Sequence, residues 1–207
     1  MREKVKARIL SVLLTEKQPL SKYKVGKLAG ASFGWTHEFL AKLEQQGLVR
    51  KTKVVSPEKL IEYWLSFSKK AKYREYMLQK PMDILKGATP EYVITTYYAE
   101  NLVQKHLFLS RLDIYVHEKD MEAWHAKAMS KGLYGKGNVR LLISSGQMFR
   151  GQKVKGYSIV SLPQLIVDLK MEGGPAEEAA ELLLKRLKAF ISPRSIRQSR
   201  TRSRGGS

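Results

Sequence analysis

The chain has 207 residues, room for one large domain or two small ones, and 43% of them are hydrophobic, enough to build a core. The 38 Lys and Arg against 19 Asp and Glu give a formal charge of +19, which points to a polyanionic partner, nucleic acid before membrane. The absence of cysteine excludes disulfides, thiolate metal sites and cysteine nucleophiles and fits a reducing cytoplasm, and no apolar run approaches the roughly 20 residues that cross a bilayer.

In chain order, residues 1 to 17 are basic with an apolar centre. Val5, Ile9, Leu10, Val12 and Leu13 recur at helical spacing and no small-residue cleavage site follows, so this stretch reads as a first helix rather than a signal segment. Ser21 can cap a second helix carrying Val25 and Leu28 on one face. Gly30-Ala31-Ser32 makes a tight break, and Phe39, Leu40 and Leu43 mark a third helix that Gly47 ends. Residues 48 to 55 then alternate loosely as a short basic strand. Helix, tight turn, helix, glycine and strand is the layout of a winged helix-turn-helix, in which the last helix enters the DNA major groove and the strand pair lies over the backbone. The expected readers of DNA are Ser32, Gly34, Trp35 and His37 at the start of the third helix, with Lys42, Arg50, Lys51 and Lys53 holding phosphates.

Ser56-Pro57-Glu58 opens a fourth helix: a capping hydroxyl, a proline at the first helical position and a carboxylate near the positive helix end. These elements define a DNA-binding domain over residues 1 to 68. Residues 69 to 81, basic and interleaved with Tyr73 and Tyr76, read as a linker or solvated helix, with nucleic-acid contact as the alternative. Pro81 marks the boundary to a second domain, residues 82 to 191. There, Thr89-Pro90-Glu91 signals a helix running into EYVITTYYAENLVQKHL, and strands are expected at 112–117 and 139–144 with a shorter pair at 149–150 and 157–160. An amphipathic helix at 118–131, a glycine-rich loop at 132–137 and closing helices from Leu162 and Ala176 complete a small mixed α/β unit, so the fold class is α+β. Residues 192 to 207 form a disordered Arg/Ser-rich tail, in which Arg194, Arg197, Arg200, Arg202 and Arg204 could condense onto phosphates or simply solubilise the chain.

No enzymatic set emerges. A nucleotidyltransferase needs a Gly-Ser phosphate loop and paired carboxylates holding magnesium. Asp113, with Asp120 nearby, is the best imitation, but Leu109-Ser110-Arg111 precedes it and Tyr115 stands where the second carboxylate belongs, so the domain suits at most a degenerate scaffold of that kind. His117 and His125 are too far apart for a one-turn zinc pair, Ser144-Ser145-Gly146 lacks a base, and Gly132, Gly135 and Gly137 lack the dinucleotide spacing. No cofactor, metal or catalytic residue is therefore expected.

The segments Gly137-Asn138-Val139-Arg140-Leu141-Leu142, Val160-Ser161-Leu162-Pro163-Gln164-Leu165, Asp168-Leu169 and Gly174-Pro175-Ala176-Glu177-Glu178-Ala179-Ala180-Glu181 resemble the C-terminal domain of AbiEi-like antitoxins of type IV toxin–antitoxin systems. The resemblance implies a transcriptional regulator that binds inverted repeats at its own promoter, with a C-terminal domain that neutralises a nucleotidyltransferase-type toxin or, as in members without a toxin, a plain regulator; a homodimer is expected because single winged helices usually bind palindromes as pairs. The alternatives are a protein-binding antitoxin or scaffold without specific DNA readout, and an RNA-binding protein using the basic tail.

Overall fold

Apolar residues at three- and four-residue spacing build the N-terminal part of the computed structural model, which describes residues 2–16, 19–87, 91–144 and 151–191. Helix α1 (Arg2–Thr15) buries Ile9, Leu10, Leu13 and Leu14. Helix α2 (Lys22–Ala29) begins where the Ser21 hydroxyl accepts the Lys24 amide, and ends at Gly30, whose φ of 59° closes it in the left-handed conformation. Helix α3 (Phe33–Gln45) starts at Ser32 and buries Thr36, Phe39, Leu40 and Leu43. The two cross closely at Gly26, where a Cβ would stand 2.8 Å from Thr36 Oγ1. Strands β1 (Val49–Arg50) and β2 (Lys53–Val54) form an antiparallel ladder, and α4 (Pro57–Leu65) follows its Ser56 cap.

The remainder is mixed α and β around one seven-stranded sheet in the order β6-β3-β7-β5-β4-β9-β8. Its strands are β3 (Tyr73–Leu78), β4 (Tyr92–Thr95), β5 (Leu112–His117), β6 (Gly132–Tyr134), β7 (Val139–Ser144), β8 (Gln152–Val154) and β9 (Tyr157–Ile159). The β5–β7 and β4–β9 pairs are parallel and the others antiparallel. Strand β5 lies in the middle of the order and is buried over five of its six residues, as a strand covered on both faces must be. Helix α5 (Thr96–Val103) packs on β4 and β5, while α6 (Met121–Met129) packs on β3, β5, β6 and β7. Helices α7 (Leu162–Glu172) and α8 (Pro175–Ile191) pack on each other, and α1 and α4 lie against α7, with α4 also reaching α8. Across this junction Lys188 pairs with Glu58, holding that carboxyl below the usual range chiefly through the hydrogen bond.

Several sequence expectations are corrected. Residues 69–81 are not a linker or helix: Tyr73–Leu78 is the strand between β6 and β7, so the α/β unit begins about ten residues before residue 82. Tyr76 is 0% exposed and its hydroxyl meets His125 Nδ1 at 2.8 Å, which withdraws it from nucleic-acid contact. The helix read into 91–107 begins as strand β4, because Val93, Ile94 and Thr95 are buried between β5 and β9. The helix at 118–131 is a 3-10 turn plus α6, and Gly132–Tyr134 of the expected loop is edge strand β6. Thr89, Pro90, Phe149, Arg150 and the tail arginines lie outside the described residues.

Candidate nucleic-acid interface

The α2, α3 and β1–β2 elements gather cations on exposed positions, and each element is held by contacts that leave those charges outward. Glu44 on α3 accepts the Lys51 amide at 2.8 Å, pinning the ladder's turn to the helix. Thr52 Oγ1 donates to the Leu20 carbonyl at 2.6 Å, fixing the same turn to the start of α2. Arg8 of α1 donates to the Gly30 carbonyl at 3.3 Å and so supports the α2–α3 turn from behind. Position, not side-chain flexibility, therefore brings the ladder beside α3.

Within the ladder, Arg50 and Lys53 face each other directly, and Lys51 stands between them in the turn. All three are exposed, and Lys51 takes a φ of 58°. Like charges opposite one another weaken an antiparallel pair, and a left-handed lysine adds strain. None of Lys42, Arg50, Lys51 and Lys53 has a carboxylate within salt-bridge distance among the described residues. The arrangement costs stability in the isolated protein and lowers its cost when an anion lies across it.

The predicted readers separate into two groups. Gly34 and His37 are exposed on α3, and a Cβ added at Gly34 would meet nothing within 4 Å, so the backbone there can be approached closely. Ser32 is exposed, but its hydroxyl accepts the Trp35 amide at 3.4 Å and serves first as the helix cap. Trp35 turns towards the core: its ring stacks on Phe39 at 5.3 Å, and Phe39 in turn approaches Tyr63, and Tyr63 approaches Phe67. Its part is to anchor α3 rather than to face outward. Lys42 is exposed in the last turn of α3.

Sequence reading passed over three exposed residues of α2, Tyr23, Lys24 and Lys27, and the exposed ring of Phe33 at the start of α3. Their signal was present, since Lys24 and Lys27 fall outside the Val25/Leu28 face one helical turn apart. Of the remaining histidines, His125 bonds Tyr76, and His117 Nε2 lies 3.2 Å from Glu91. Asp113 is buried and accepts hydrogen bonds from Thr96 and Arg111. Among the described residues no helix is long and apolar enough to cross a membrane. No family model, curated protein or solved structure matches the chain.

Proposed function

We propose that the chain is a DNA-binding transcriptional regulator whose N-terminal part works as a winged helix. In this reading α3 enters the major groove with Gly34 and His37 leading, and the β1–β2 ladder lies over the phosphates. The observation that carries it is the ladder itself: Arg50 opposite Lys53, Lys51 between them, all exposed and anchored beside α3. A pair arranged against its own electrostatics is accounted for by a polyanion across it. The overall charge of +19 supports the same partner without supplying specificity. Phosphate contacts from Lys42 and the ladder would set register, and base readout would fall to α3. Two copies on an inverted repeat match the way single winged helices reach high affinity. The resemblance to AbiEi-like antitoxins favours autorepression at the chain's own promoter, with a nucleotidyltransferase-type toxin as the protein partner.

The test is a salt titration of binding to duplex DNA. Replacing Arg50 and Lys51 with alanine is expected to weaken binding to all sequences and to make the slope of log K against log salt shallower by roughly 2, one counterion for each lost phosphate contact. An unchanged slope would remove the ladder from the interface. Replacing His37 is expected to alter preference among sites instead, read by selection from a random duplex pool.

A further inference from the structure

A cavity of about 300 Å³ opens between the N-terminal helices and the sheet. That volume sits at the lower end for small-molecule sites, and the junction of two packed units is where such sites are commonly found. Its walls are apolar, with Trp64 and Phe67 from the α4 side and Leu142, Val167 and Met171 from the sheet and α7. Its two ends carry opposite charge.

The inner end is acidic. Asp113 and Asp168 line it, both buried. Asp113 is paired with Arg111, which also reaches Glu172 at 2.9 Å, and Arg140 bridges Glu75 and Glu172. The cluster thus holds four carboxylates against two guanidiniums, a negative excess at the centre of a strongly cationic protein. Asp168 is the member without a cation. Its hydrogen bonds come from Thr95, from Tyr115 at 3.2 Å and from Gln164 at 2.8 Å, all neutral donors. Burial accordingly pushes its carboxyl up to about 6. Beside it Thr96 holds a φ of 48° while its hydroxyl bonds Asp113, a left-handed conformation that a β-branched residue adopts only when its surroundings impose it. The mouth is basic: Lys4, Lys69 and Lys70 line it, all exposed and without a carboxylate partner among the described residues, with Glu3 the one acid there.

We propose that this cavity binds a small ω-amino acid, a zwitterion whose apolar body separates its two charges, with the ammonium directed at Asp168 and the carboxylate at Lys4, Lys69 and Lys70. A cation at Asp168 supplies the counter-charge that its neutral donors lack, the walls take the apolar body, and the lysines complete the dipole. Binding here is independent of whether α3 and the ladder meet DNA.

Calorimetry on the full chain, with three probes sharing one unbranched alkyl body, tests this directly. 6-Aminohexanoate carries a charge at each end, hexylamine only the ammonium, and hexanoate only the carboxylate. Aminohexanoate is expected to bind most tightly, hexylamine less so, and hexanoate least. Asp168→Asn is expected to weaken both amines by about tenfold or more, the cost of losing one charged hydrogen-bond partner. Replacing exposed Lys69 and Lys70 with alanine leaves the fold alone, and is expected to erase aminohexanoate's advantage over hexylamine. Hexanoate binding as well as aminohexanoate, an advantage that survives the lysine replacements, or no saturable binding of any probe would overturn the proposal.

Discussion

Lys51 joins strain and charge in one residue, and the two separate experimentally. Its φ of 58° suits glycine, and its exposed side chain makes no ion pair among the described residues. Lys51→Gly is expected to raise stability in a denaturant melt by about 1 kcal/mol through relief of the left-handed strain. The same substitution is expected to weaken duplex binding if the proposed interface is right, since it removes one of the cations assigned there to phosphate. A loss of stability instead would mean that the turn owes its shape to the lysine. Asp168 makes a second residue-scale prediction. Its folded value near 6 lies above the ordinary 3.8, so the folded chain holds this proton more tightly than the unfolded chain does. Stability from this group is therefore fully present below about pH 4 and is lost as pH rises through 6, by on the order of 3 kcal/mol. Asp168→Asn is expected to remove that decline, so the variant should gain on the wild type between pH 4 and 6 in melts taken across the range. A constant difference at all pH values would contradict the assignment.

At the scale of elements, helix starts and the two strands Leu112–His117 and Val139–Ser144 were legible with their bounds, and strands β3 and β4 were not. The starts of α2, α3, α4 and α7 are each marked by a serine whose hydroxyl accepts a backbone amide three residues on, a signal contained within four residues. Strand β3 had no such local mark. Its partners are residues 132–134 and 139–142, more than fifty residues away, and its basic composition imitates a solvated segment. Only Tyr76 and Leu78 are fully buried in it, too short an alternation to outweigh the charges around them. Strand β4 failed for the opposite reason: buried from Val93 to Thr95, it gives an apolar run that a helix would also give. The importance of β3 can be measured through Tyr76, whose ring is wholly buried and approaches both His125 and Tyr134. Tyr76→Ala is expected to cost about 3–5 kcal/mol in a denaturant melt, the range for emptying a large aromatic site in a core. A loss below 1 kcal/mol would show that β3 is not integral to the sheet.

Across the whole molecule, the legible part was the order of elements and the hidden part was how they join. The candidate interface could be placed from the chain because its residues lie within about thirty positions of one another. Its split into outward Gly34 and His37 and inward Trp35 could not, since that depends on Phe39, Tyr63 and Phe67 stacking behind α3. Likewise the cavity draws on α1, α4, the sheet and α7 together, and no window of sequence contains it. Helices α1 and α4 pack on α7, and α4 also on α8, with Ser11 meeting Ser161 at 3.3 Å, so in the proposed complex DNA would meet these units already joined. The most direct measurement uses the absence of cysteine in the sequence. A single Gly34→Cys, placed where an added Cβ meets nothing, can carry an iron chelate that cleaves DNA at short range. If α3 enters the groove, cuts in a bound duplex should cluster within about one helical turn. Cleavage spread evenly along the duplex, or no stronger than from the same chelate on an exposed Ala126→Cys of α6, would contradict it.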